Sequence, residues 1–228
     1  MTFHEYENIS RNMDFTRKHW YACIYDQQVI KTEDVRFLLS LIGNEPRSIL
    51  EVACGTGRIA VPLALAGHRV VGFDKDEFML ERLKDKAKGL SLLSFYKADA
   101  ILQDWGKDFD VVVLAGNLLL NIETDLPYRK AQELFLYKAA ACVKQNGFMF
   151  LDFDCFDRPD QSSDERHEWV CFEGTDDLGT YGKYIVISGD YSSKTRIDKS
   201  FRRYEITPKK GEMFTYETTV IKHLPAFR

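Results

Sequence analysis

Between Ser48 and Asp154 the chain alternates short apolar runs with segments of helical period, and this alternation constrains the fold more than any other feature. Ser48–Ala53, His68–Asp74, Leu92–Ala98, Phe109–Ala115 and Gly147–Asp154 read as strands. Arg58–Ala66, Glu77–Lys88 and Pro127–Gln145 read as helices, the last presenting Ala131, Leu134, Phe135, Ala139 and Cys142 on one face and stopping at Asn146-Gly147. An earlier helix begins after Thr32, read as its N-cap, and ends at Gly43. Strands that alternate with helices predict an α/β fold with a mostly parallel sheet covered on both faces. The near-continuous apolar run Phe109–Ala115 suits a strand buried on both sides.

The pattern changes after Asp154. Residues 157–166 read as a polar loop, and Glu168–Phe172, Lys183–Ser188, Thr195–Ile206 and Glu212–His223 read as consecutive strands without helices between them. The expected organisation is a cofactor-binding core with an N-terminal helical segment over 1–156, and an antiparallel β subdomain on the substrate side over 157–228.

Net charge is −4, which gives no bulk attraction to nucleic acid or an anionic membrane. The seven basic residues between Lys194 and Lys210 read as a solvated hairpin face rather than an RNA-binding patch. No apolar run is long enough to span a bilayer, and the first seventeen residues have no secretory h-region. The five cysteines form no C-x-x-C pair and the histidines are scattered, so neither a disulfide framework nor a metal site is expected, and the reducing cytoplasm is the expected compartment.

The chemistry concentrates at the strand ends. Glu51-Val52-Ala53-Cys54-Gly55-Thr56-Gly57 closes the first strand with a Gly-x-Gly turn that lets backbone approach a ligand closely, and the following helix would offer free N–H groups. Asp74 ends the second strand, where a carboxylate can accept from both ribose hydroxyls. Asp99 ends the third, where it can accept from the amino group of adenine. Gly55-x-Gly57-x-x-Ala60 with Asp74 also satisfies a loose dinucleotide fingerprint, so an NAD-dependent oxidoreductase is the first rival reading. A non-catalytic cofactor-binding protein and an RNA or protein methyltransferase are the others.

Ile49–Gly57 resembles the first motif of class I S-adenosylmethionine-dependent methyltransferases, and Val70–Asp74 followed by Met79-Leu80 resembles their second. The resemblance implies S-adenosyl-L-methionine as cofactor. Gly55 and Gly57, with Ala53 before them, would lie by its methionine part; Asp74 would hold the ribose, Lys75 and Met79 would flank the adenine, Asp99 and Ala100 would recognise its edge, and Leu114 would pass near the methionyl end. Tyr21-Ala22-x-x-Tyr25-Asp26, Leu114–Asn117 and Leu151–Asp157 are similar to the glycine N-methyltransferase-like and amino-sugar N-methyltransferase branches. That narrower resemblance implies methyl transfer to a small molecule, with an amine nitrogen as acceptor. Tyr21, Tyr25 and Asn117 would line the methyl-transfer site, and His167, Asp152 and Asp154 are the candidates for a general base. Glycine-specific members carry a basic residue where this chain has Asp154, which suits a cationic amine instead. The family continues with a helix and two further strands, about where this chain reaches Pro225–Arg228; an uncovered sheet edge raises the expectation of a homo-oligomer.

Overall fold

The computed structural model describes residues 3–154, 160 and 166–224. It divides into two compact units, Ile30–Phe156 on one side and Met1–Val29 with Asp157–Arg228 on the other.

The first unit holds α2 (Glu33–Ile42), β1 (Ser48–Val52), α3 (Ala60–Leu65), β2 (Arg69–Asp74), α4 (Glu77–Lys86), β3 (Leu93–Lys97), β4 (Phe109–Leu114), a 3-10 turn (Leu118–Leu120), α5 (Tyr128–Cys142) and β5 (Val143–Leu151). Its five strands are all parallel, in the order β3-β2-β1-β4-β5. The chain steps outward from β1 to β3 and then returns to β4, so the order reverses between β1 and β4; ligands of such sheets bind beyond the strand ends at this reversal. One face buries Ile49, Val70, Val111 and Val113 against Leu38, Leu63 and Leu83 of the helices. On the other face Trp105 stacks edge-on against Phe135 of α5, 5.3 Å between centroids, and tilts against Phe73. The sheet is thus covered on both sides, as the apolar run Val111–Leu114 of β4 requires.

Three local expectations change. Thr32 makes no side-chain cap; the turn before α2 instead carries a Glu33 carboxylate on the Thr32 amide at 3.2 Å. The helix after the glycine turn starts at Ala60 rather than Arg58 and is six residues long, too short for a helix dipole to act at its start. The last helix ends at Cys142, and Val143 already pairs with Phe109, so residues 143–147 are strand rather than helix end. Gly147 is needed there for a different reason: a Cβ would stand 2.5 Å from the Asp110 carbonyl oxygen, where β4 and β5 shift register.

The second unit holds α1 (Phe3–Gln28), β6 (Glu168–Thr175), β7 (Tyr181–Ile187), β8 (Tyr191–Ser192), β9 (Ile197–Thr207) and β10 (Phe214–His223). The antiparallel order is β10-β9-β7-β6, with β8 on β9. Trp20 of α1 is fully buried on this sheet; its indole N–H donates to the Gly174 carbonyl at 3.0 Å, and a Cβ at Gly182 would meet its ring at 2.5 Å. Packing therefore groups α1 with the antiparallel sheet, whereas the expected division groups residues 1–29 with the parallel core. The loop expected over 157–166 lies outside the described residues except for Asp160 and Arg166, as do Cys155 and Pro225–Arg228. Among the described residues the other four cysteines form no disulfide, and no helix is long and apolar enough to cross a membrane.

Candidate functional site

β1 ends in a turn with three left-handed residues, Ala53 (φ 57°), Gly55 (φ 52°) and Gly57 (φ 78°). The two glycines differ in what they need. At Gly57 a Cβ would lie 2.3 Å from Leu83 Cδ1, so the position is closed by packing. At Gly55 a Cβ would meet nothing within 4 Å, so its outer face is open. Ala53 holds a conformation that costs an L-residue roughly 1–2 kcal/mol, and strain of this kind gathers at functional sites.

The tip of β2 is tied to this turn. Asp74 accepts the Gly55 amide on Oδ2 and the Asp76 amide on Oδ1, both at 2.8 Å. Burial raises its pKa, and the two amides hold it back. At the tip of β3, Asp99 Oδ1 accepts the amides of Ile101 (2.7 Å) and Leu102 (3.4 Å) and so turns the chain. That loop is clamped from below by Lys138 of α5, whose ammonium donates to the carbonyls of Ala100 (2.9 Å), Ile101 (2.6 Å) and Gln103 (2.8 Å). Trp105 Nε1 adds a second donor to the Ala100 carbonyl at 2.9 Å.

Between these tips opens a cleft of about 170 Å³. Ala53, Asp74, Lys75, Asp99 and Ala100 line it; the strand-end argument expects Asp74 and Asp99 there, and the family resemblance the other three. Glu123 and Ile122 line it too, and these the sequence reading missed: they follow the 3-10 turn, and no periodicity marks a residue brought in by a loop. Glu123 pairs with the Lys75 ammonium, so Lys75 meets the cleft as half of an ion pair. Gly55 and Gly57 shape the turn without lining the cleft, Met79 sits in the first turn of α4 outside its lining, and the Leu114 side chain is fully buried.

Glu51, in the same motif, is buried, and among the described residues its Oε2 has no hydrogen-bond partner. Desolvation pushes its pKa up to about 8 against the opposing pull of Arg58, which is held in a two-pronged pair with Asp34 at 2.6 and 2.8 Å.

Past β4, Asn117 is left-handed (φ 64°) and locked to Asp154: its Nδ2 donates to Oδ2 at 2.8 Å, and its Oδ1 accepts the Asp154 amide at 2.5 Å. Asp152 Oδ2 receives the Gly116 amide at 3.4 Å. These carboxylates are loop staples in this state. Tyr21, Tyr25 and His167 belong to the other unit. Tyr21 is ringed by Phe172, Tyr184 and Tyr204 with centroids 5.3–5.9 Å away, and burial raises its pKa well above the usual phenol value, which makes it a poor base. His167 is exposed, with its amide on Ser188 Oγ at 2.9 Å. Against the expectation of scattered histidines, His19 Nε2 lies 2.7 Å from Asp177 Oδ1 with Asp176 beside them, the one group among the described residues that could hold a metal. Asp176 Oδ1 there caps the β6–β7 turn on the Leu178 and Thr180 amides.

The chain is similar to several known proteins. Residues 49–147 match a methyltransferase-domain family. A glycine/sarcosine N-methyltransferase of Parasynechococcus marenigrum is 32% identical over 148 residues, 64% of this chain and 51% of that protein. The chain spans about half the length of the curated relatives it matches. Among solved structures, the CcbJ methyltransferase of Streptomyces caelestis superposes with a TM-score of 0.64 at 19% identity, covering 90% of this chain and 80% of that one. The amino pentose methyltransferase CalS10 of Micromonospora echinaspora gives 0.58 at 15% identity, covering 98% and 84%. Residues 49–147 are thus similar to a methyltransferase-domain family, and the solved neighbours share the fold, a Rossmann-like parallel sheet with a separate antiparallel one.

Proposed function

We propose that this chain is an enzyme that transfers a methyl group from S-adenosylmethionine to a small molecule, with an amine nitrogen as acceptor. The observation that carries the reading is the convergence of three consecutive strand tips on one cleft, with Ala53, Asp74 and Asp99 in its wall. The residues fit the cofactor. The open face at Gly55 admits a ligand beside the backbone. The Asp74 oxygens, each holding one amide, keep lone pairs for the ribose hydroxyls, and Asp99 Oδ2 is left to accept from an amino group. The bound cofactor supplies a methyl group already activated for in-line displacement. The chain's task is then to orient donor and acceptor and to exclude water.

An amine brings its own lone pair and can give its proton to water, whereas a hydroxyl needs a positioned base. The candidate bases are ill suited: Asp154 is tied to Asn117, the Tyr21 phenol is raised in pKa, and His167 is exposed. The names of the glycine/sarcosine and amino pentose enzymes point the same way. The test has two stages. Calorimetry with S-adenosylhomocysteine should give micromolar binding that NADH does not reproduce. Labelled S-adenosylmethionine offered with pools of amines and of alcohols should then mark an amine. Tight NADH binding, or label only in the alcohol pool, would overturn the respective half of the proposal.

A further inference from the structure

His19 of α1 and Asp177, 158 residues further along the chain, meet inside the second unit, where β6 turns into β7. His19 Nε2 lies 2.7 Å from Asp177 Oδ1. Asp176 joins them: one ligand atom from each of the three residues lies within 4.8 Å of the other two. His19 and Asp176 are buried, and Asp177 is exposed, so the group opens to water on one side.

The buried members are held in place. Phe15, one helical turn before His19, stacks on the imidazole with 6.0 Å between centroids and 9° between planes. Trp20, the next residue, is fixed by its bond to the Gly174 carbonyl. In the turn, the Asp176 amide donates to the Thr180 carbonyl at 2.9 Å, and the Gly179 amide donates to the Asp176 carbonyl at 3.1 Å.

The two carboxylate oxygens of Asp176 differ. Oδ1 accepts the Leu178 and Thr180 amides at 3.0 and 2.8 Å. Oδ2 belongs to a residue only 7% exposed and, among the described residues, has no hydrogen-bond partner. A carboxylate oxygen cut off from water is costly unless a donor or a cation meets it. The imidazole Nε2 beside it is already engaged by Asp177. Ligand atoms about 2.1 Å from one ion stand roughly 3–3.5 Å from each other. Small side-chain rotations would therefore bring all three residues onto a single ion.

We propose that His19, Asp176 and Asp177 bind a divalent first-row transition ion, and that the ion fastens α1 to the β6–β7 turn. Nε2 of His19, Oδ2 of Asp176 and one oxygen of Asp177 supply the ligands, and water completes the shell. Two carboxylates balance the charge of the ion. The imidazole favours such an ion over Mg2+ and Ca2+, which take oxygen ligands, and the group contains no thiolate to select a soft ion. Nothing in this site depends on the methyltransferase reading.

The test strips the full chain with EDTA and titrates it by calorimetry with Zn2+, Mn2+ and Mg2+, with thermal melting recorded alongside. His19→Gln, Asp176→Asn and Asp177→Asn are compared with the wild type, and His167→Gln controls for stray binding at an exposed histidine. Asp176→Asn keeps an Oδ1 for the turn amides, and Asp177→Asn changes an exposed side chain, so both should fold. Wild type and His167→Gln should bind a single Zn2+ or Mn2+ per chain more tightly than Mg2+, and should melt higher with it. Each of the other three variants should bind at least about tenfold more weakly, since loss of even an outer-shell partner costs that much, and should lose the rise in melting. Mn2+ has little affinity for thiolate, so its result excludes binding at the cysteines. The proposal is overturned if wild type binds neither ion more tightly than Mg2+, or if Asp177→Asn binds as wild type does. Either result would leave His19 and Asp177 as a plain hydrogen-bonded pair. Should a buried variant fail to fold, Asp177→Asn still decides.

Discussion

The Asp74 carboxylate accepts the Gly55 amide at 2.8 Å, so the glycine turn after β1 and the tip of β2 form one hydrogen-bonded piece. A ligand that grips Asp74 therefore also fixes the turn. Asp74→Ala removes the acceptor of two backbone amides, worth about 2–3 kcal/mol together for hydrogen bonds to a charged group in a part-buried site. The variant should melt lower without ligand and bind S-adenosylhomocysteine at least tenfold more weakly by calorimetry. Unchanged affinity would remove Asp74 from the cofactor site.

The two glycines of the turn should separate stability from binding. Gly57→Ala drives a Cβ into Leu83 at 2.3 Å and strains a φ of 78°, so it should destabilise the fold by roughly 2–4 kcal/mol in urea titrations. Gly55→Ala meets no atom within 4 Å and bears only the φ strain, about 1 kcal/mol. Its Cβ nevertheless occupies the open face of the turn, so homocysteine affinity should fall by more than the modest loss of stability suggests. The reverse pattern would put the ligand on the Gly57 side.

The parallel core was legible because β1, β2 and β4 each have an apolar run, with a polar residue or a glycine at its end or within three residues of it. Asp74 and Asp99 could be brought to one cleft because strand ends in a parallel sheet share one edge, whereas Ala100 came from the family resemblance. Three things were hidden. Glu123 reaches the cleft through an irregular turn that has no period. The α5–β5 junction looked like a helix stop because Asn146-Gly147 is equally good chemistry for a close approach to Asp110. The place of α1 could not be read from its sequence, because Trp20 and Ile24 bury against β-strands more than a hundred residues away, and an apolar stripe does not name its partner.

Lys138 is the brace of the loop that follows β3. One ammonium satisfies three carbonyls in four residues, and its burial lowers its pKa in spite of Asp104 and Asp99 nearby. Lys138→Met keeps most of the apolar stem but leaves the Ile101 and Gln103 carbonyls to water and Ala100 to Trp105 alone, at a net cost of about 2 kcal/mol. Because the loop carries Ala100 and Ile101 in the cleft wall, homocysteine binding should weaken several-fold, and amide exchange should quicken over residues 100–104. Lys138→Arg should restore only part of both, as a planar fork cannot aim three donors along the same directions. If exchange in the loop is unaltered in Lys138→Met, the brace is not what orders it.

Glu51 gives the fold a pH dependence of unusual sign. Its carboxyl is buried, with Oε2 unpartnered among the described residues, and its pKa stands at about 8 against 4.5 in an open chain. Between these values the folded protein keeps a proton that the unfolded chain releases, so this residue's contribution to stability declines as pH rises from about 4.5 to 8. At pH 7 the decline amounts to roughly 3 kcal/mol, from 1.36 kcal/mol for each unit between the open-chain value and the working pH. Glu51→Gln keeps the shape, has no proton to hold, and should show none of that slope. Urea unfolding of the two proteins at pH 5 and pH 7.5 isolates the effect, because every other titrating group is common to both. The variant should gain on the wild type by about 3 kcal/mol at the higher pH relative to the lower. A constant difference between the two curves would mean that Glu51 is ionised in the fold and that Arg58, rather than a proton, neutralises it.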